Sequence, residues 1–146
     1  MKVCGVELKS NEAIICLLSL TDGVFNIPDC RARKLTLTDM HSQEALIAFQ
    51  KEFSKLMQDY SVDKVVVRQR PTKGKFAGGA AGFKMEAAME LIPDLEVHSL
   101  TNTEIKTLIK HNPLPVPFTE TGLKAFQEGA FSTAYAFLSH STNQDA

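Results

Sequence analysis

Five cations cluster in the middle of the chain: Arg68, Arg70, Lys73, Lys75 and Lys84, with no acid among them before Glu86. They surround "GKFAGGAAGF", a stretch of small residues that follows the apolar run "VVV" and leads into a helical pattern. Positive charge before a helix N-terminus attracts phosphate, because free N–H groups and the helix dipole add to the side chains. Phe76 and Phe83 could stack on bases. A nucleotide cradle is a poorer match. A P-loop needs G-x-x-x-x-G-K-[ST], whereas Gly78 to Lys84 has the wrong spacing and no hydroxyl after the lysine. The dinucleotide fingerprint G-x-G-x-x-G is also absent. Two alternatives remain for this segment: a phosphate surface, or a solvated lysine loop whose Gly78, Gly79, Ala81 and Gly82 let a helix pack closely.

No second constellation competes with it. The three cysteines, Cys4, Cys16 and Cys30, lack metal-ligand spacing, and two lie in apolar runs. They read as reduced structural thiols of a cytoplasmic protein. His41, His98, His111 and His140 are scattered, with His98 expected in a sheet.

These residues must be carried by one domain, the expected outcome for 146 residues. A chain of this length buries enough surface to fold without a metal or disulfide. Its 44% hydrophobic and 23% charged content are ordinary for a soluble globule. The net charge of −1 means that any basic surface is local. No apolar run is long enough to span a membrane, and "MKVCGVELK" lacks the apolar core of a signal peptide. The expected domain covers residues 1–140, with 141–146 a polar tail.

Secondary structure follows from periodicity. "KVCGVELK" and "EAIICLLSL" form a hairpin about Ser10-Asn11. A third strand is expected within 24–37, at "ARKLTL". Leu46, Phe49, Phe53, Leu56 and Tyr60 lie on one face of a helix that Ser42 can cap. "DKVVVRQ" is a buried strand, 78–92 a helix and "DLEVHSL" the fifth strand. "TNTE" is a capping box that starts a short helix ending by Asn112, before proline. The final helix is expected from about Glu120 to Ser139. Hairpin strands followed by β-α-β units predict an α/β fold, with helices on both faces of a mixed sheet.

That order resembles the ribonuclease H-like fold, a five-stranded sheet in the order 3-2-1-4-5 with strand 2 antiparallel. Within the fold, "VCGVELKSNEAIICLL", "VVVRQ" with its small-residue helix, "SLTNTEIKTLI" and "EGAFSTAYAFL" resemble corresponding parts of RuvC-type Holliday-junction resolvases. Over its whole length the chain also resembles a small uncharacterised bacterial family, a domain of unknown function, which implies no activity. The resolvase resemblance implies a nuclease site of three or four carboxylates around two Mg²⁺ or Mn²⁺ ions. Magnesium takes hard oxygen ligands, and two ions about 4 Å apart clamp the attacking and leaving oxygens. Glu7 falls at the first-strand acid and Glu128 at a last-helix acid, so these are the candidate metal-binding and catalytic residues. A further last-helix acid is replaced by Phe131, and the fourth-strand acid by Arg68.

An arginine at that place repels a cation. Glu7 and Arg68 would stand on adjacent parallel strands, and an ion pair between them is favoured over a metal site. Glu128 is equally well explained as a solvated helix residue. The function expected is nucleic-acid binding, to DNA or RNA, through Arg68, Arg70, Lys73, Lys75 and Lys84, with a degenerate metal site. The alternative is a non-catalytic module that docks a protein partner or a second copy. An active metal-dependent nuclease is the weaker third reading.

Overall fold

The computed structural model describes residues 1–74 and 78–145, with side chains described through His140. Lys75, Phe76 and Ala77 lie outside the described residues. Strands β1 (Lys2–Lys9) and β2 (Glu12–Thr21) form the expected hairpin. Ser10 takes a left-handed φ of 51° at the turn. Two short strands follow, β3 (Val24–Asn26) and β4 (Lys34–Thr36). Helix α1 (Gln43–Asp59) leads to β5 (Lys64–Arg68), α2 (Ala80–Glu90), β6 (Glu96–Leu100), α3 (Asn102–His111) and α4 (Glu128–Asp145).

Among the described residues six strands form one sheet, ordered β3-β2-β1-β5-β6, with β4 also paired to β2. The single third strand expected from the sequence is thus two pieces on the same edge of β2. "NIPDC" interrupts it, since proline cannot donate to a ladder and the chain must leave the sheet there. β1 runs antiparallel to β2 and parallel to β5, and β5 runs parallel to β6.

Side-chain alternation along β1 divides the core in two. Cys4, Val6 and Leu8 point to α1 and α2, where they meet Phe49, Phe53, Leu56, Met85 and Met89. Val3 points the other way, into a core with Ala130, Phe131, Ala134, Tyr135 and Leu138 of α4. Helices therefore cover both faces of the sheet, as the β-α-β pattern requires. The expected caps form: Ser42 Oγ accepts from Ala45 N–H at 3.1 Å. Thr101 Oγ1 accepts from Glu104 N–H at 3.1 Å and donates to the Glu104 carboxylate at 3.0 Å.

The last helix departs from expectation at both ends. It begins at Glu128, after short 3-10 turns at Phe118–Glu120 and Ala125–Gln127, and its backbone continues to Asp145. Gly122, at φ 80°, lies between the two turns in a conformation that a helix cannot continue through.

α4 lies unusually close to β1. A Cβ on Gly5 would collide with the backbone oxygen of Ala130 and come within 2.9 Å of Ala134 Cβ. The close approach expected for the 78–82 segment is realised at Gly78, where a Cβ would lie 2.8 Å from Arg70 Cβ. It is not realised at Gly79, which has nothing within 4 Å, nor at Gly82, whose nearest neighbour is Leu8 Cβ at 3.6 Å.

Candidate functional site

The strand register places Val6 beside Val67, so Glu7 and Arg68 follow on the same face at the carboxyl ends of β1 and β5. That face is covered by α4, whose first turn carries Glu128 and Gly129. Helix α3 starts directly after β6 and closes the other side. Between them lies a cleft of about 590 Å³ in which Glu7, Arg68 and Glu128 come together. In open α/β sheets the carboxyl ends of parallel strands are where ligands bind, because loops and helix N-termini converge there. Three candidates chosen from the sequence thus share one site.

The pairing within it differs from expectation. Among the described residues no ion pair joins Glu7 to Arg68. Arg68 Nε instead donates to Asn102 Oδ1 at 2.6 Å, at the start of α3. The Glu7 carboxylate lies 3.7 Å from Lys9 Nζ and rests on Gly129, so tightly that a Cβ there would overlap its oxygens. The Glu7 side chain is only 16% exposed. The first turn of α4 offers it the positive end of a helix dipole, so a carboxylate is accommodated there without Arg68.

The other candidate cations are dispersed. One Arg70 Nη donates to Leu8 O, fastening the segment after β5 to the end of β1. Arg70 also borders a smaller pocket with Glu7 and Arg68, beneath the same strand ends. Lys84 Nζ donates to Met40 O at 2.6 Å, on the α1–α2 side of the sheet and away from the cleft. Lys73 is exposed, and Lys75 lies outside the described residues. Among the described residues of this run, Lys84 therefore stands apart from Arg68 and Arg70, because α2 carries it to the side of α1.

Residues not singled out in the sequence complete the cleft. Lys106 and Lys110 of α3 line it, together with Lys9 and Phe126. Neither α3 lysine has an ion-pair partner among the described residues. Their four-residue spacing in "EIKTLIK" was the available signal, since it puts both on one helical face. Four cations thus surround two carboxylates. Phe131, where the resolvase resemblance implies a further acid, is buried against Phe118 and Tyr135. The next cleft-lining residue of α4 after Gly129 is instead Ser132.

This donor set does not fit a two-ion centre. Among the described residues no group of three or more His, Cys, Asp or Glu could hold a metal. The cleft supplies two carboxylates, and a guanidinium and three ammonium groups repel a divalent cation. Cys4 and Cys16 are poorly suited to thiolate chemistry on other grounds. Burial pushes the Cys16 thiol up to about 12 and raises Cys4 well above its usual range, so neither supplies a thiolate at neutral pH.

The sheet, its helices and a cleft at its strand ends define a protein of the ribonuclease H-like fold, with solved neighbours among Holliday-junction resolvases. The Thermus thermophilus RuvC structure has a TM-score of 0.75 at 10% identity, over 99% of this chain and 97% of that one. T. thermophilus RuvC in complex with Holliday junction substrate has a TM-score of 0.68 at 8% identity, over 98% and 96%. The yeast mitochondrial Holliday junction resolvase Ydc2 has a TM-score of 0.52 at 10% identity, over 94% and 75%. The chain itself belongs to the family described as "Protein of unknown function (DUF3010)", whose model matches residues 1–137. A comparison with curated proteins gives no match. Among the described residues no helix is long and apolar enough to cross a membrane.

Proposed function

We propose that this protein binds nucleic acid through the cleft between α3 and α4 and has little or no metal-dependent nuclease activity. The observation that carries the proposal is the composition of the cleft: Lys9, Arg68, Lys106 and Lys110 gathered around only two carboxylates, Glu7 and Glu128. A guanidinium held by Asn102 and two unpaired lysines on one helix are suited to phosphodiester oxygens. In this role Arg68 and the α3 lysines are the phosphate contacts, with Arg70, Lys73 and Lys75 as further candidates from the sequence. Lys84 is left out, since its ammonium is engaged on the opposite side of the sheet. A similar Thermus thermophilus protein has been seen with a Holliday junction substrate, which makes branched DNA the first ligand to test.

Fluorescence anisotropy against salt tests the binding. The expected result is a linear fall of log K with log[salt], its slope reduced by about one for each phosphate-contacting lysine replaced in Lys106→Ala and Lys110→Ala. Absence of binding to branched, duplex and single-stranded DNA and to RNA at low salt would overturn the proposal. Cleavage of branched DNA with Mg²⁺ or Mn²⁺, abolished by Glu7→Gln, would overturn its non-catalytic part and restore Glu7 and Glu128 as metal ligands.

A further inference from the structure

Phe126 is 42% exposed although it is a large aromatic side chain, and it lines the same cleft as Arg68, Lys106 and Lys110. It belongs to the short turn Ala125–Gln127 that leads into α4. That turn is anchored by hydrogen bonds. The buried Gln127 side chain donates to Ile15 O at 3.0 Å and accepts from Lys124 N–H at 3.0 Å. The neighbouring residue Phe126 is therefore presented from an anchored backbone. Lys34 Nζ, its charge balanced by Glu12 at 2.8 Å, lies over one face of the ring at 5.9 Å from the centroid, so a base would stack on the other face.

We infer that the cleft accepts an unstacked nucleotide of a single strand or frayed end, with its base on Phe126 and its phosphates on Arg68, Lys106 and Lys110. The inference rests on the nucleic-acid function proposed above and adds the form of the ligand. A duplex keeps its bases stacked on one another and offers only its backbone. A single strand offers both a backbone and free π-faces, and every base has such a face, so recognition is tolerant of sequence. The cleft holds the two elements such a ligand needs: a cationic wall on α3 and an aromatic shelf at the start of α4. A volume of about 590 Å³ leaves room for a nucleotide rather than for a base edge alone. The sequence pointed instead to Phe76 and Phe83 as stacking residues. Phe83 is half-buried, with its ring beside Gly78, and Phe76 lies outside the described residues.

The test uses the full chain and oligonucleotides carrying 2-aminopurine at a single-stranded end, whose fluorescence is quenched on stacking. The wild type should quench the probe and bind single-stranded DNA more tightly than a duplex of equal length. Phe126→Leu should abolish the quench and weaken single-strand binding by about 5- to 150-fold, while leaving duplex binding and Tm unchanged. Phe83→Leu should retain the quench. Lys106→Ala/Lys110→Ala should weaken binding to single strands and duplexes alike. Unchanged quenching and affinity in Phe126→Leu, alongside loss of binding in the lysine variant, would overturn this inference and leave the proposed function standing. Failure of the wild type to bind any nucleic acid would overturn both.

Discussion

Two glycines at the junction of β1 and α4 should respond to alanine unequally. At Gly5 the added methyl group meets the Ala130 backbone oxygen and the Ala134 Cβ. Neither atom can move without shifting α4 on the sheet. Overpacking of this kind costs about 1–3 kcal/mol. For a domain of this size that lowers Tm by roughly 2–12 °C, at about 2–4 °C per kcal/mol. At Gly129 the methyl group meets only the Glu7 carboxylate, the far end of a flexible side chain. Alanine is favoured over glycine in a helix by up to about 1 kcal/mol, which offsets the displacement of Glu7. Gly129→Ala should therefore shift stability by less than about 0.5 kcal/mol, the range of an ordinary surface substitution. In a Glu7→Ala background the obstruction is gone and the helix gain should appear in full, as a coupling of at least about 0.5 kcal/mol between the two sites. Urea unfolding of Gly5→Ala, Gly129→Ala, Glu7→Ala and the Glu7/Gly129 double variant measures all of this. If Gly129→Ala destabilises as much as Gly5→Ala, and equally with and without Glu7, the contact between the carboxylate and α4 is not what defines the floor of the cleft.

Replacing Arg68 with glutamate adds a third carboxylate to the cleft and removes a fixed cation. Arg68→Glu should then bind Mn²⁺ more tightly than the wild type by isothermal titration calorimetry, and no gain would mean that Arg68 is not what disfavours a cation there. The Cys16 thiol has its pKa raised by burial, so its protonated form is favoured in the fold. Stability should be intact below about 9 and should fall as pH rises from about 9 to about 12, a decline reduced in Cys16→Ala. Cys30 should react with a thiol reagent in the native state well before Cys4 and Cys16, because only it is partly exposed. Hydrogen bonds from His98 and Lys64 hold the Glu96 carboxyl below its usual range, so its contribution is present at neutral pH and lost as pH falls through the lowered value. The Tm difference between wild type and Glu96→Gln should therefore shrink between pH 7 and pH 3.

The order of elements and the mixed sheet were legible because they follow from periodicity and connection length, which are local properties, whereas the strand order came from the resemblance to the ribonuclease H-like fold. Alternation in "VCGVEL", the three valines of β5 and the caps at Ser42 and Thr101 all act within a few residues. The site was legible only in part. Glu7, Arg68 and Glu128 were identified because the resolvase resemblance places acids at those strand and helix positions. The basic run from Arg68 to Lys84 is divided in space, because Arg68 ends β5 while Lys84 lies in α2. Lys84 is drawn to Met40 O, and Arg70 is used to secure β1. The close packing at Gly5 was invisible for the opposite reason. It depends on a helix more than a hundred residues further along the chain, and no local pattern reports that distance.

The position of Arg68 links these points. Its guanidinium is not the counter-charge of Glu7, because Glu7 already has Lys9 and the N-terminus of α4. It bonds instead to Asn102, the first residue of α3, the helix that also carries Lys106 and Lys110. An arginine whose purpose was to neutralise a buried acid would turn towards that acid. One tied to the cationic helix keeps its charge uncompensated and adds it to that wall of the cleft. With Lys9, Lys106 and Lys110, Arg68 gives the cleft four cations against the two carboxylates of Glu7 and Glu128, a balance that favours an anion over a cation.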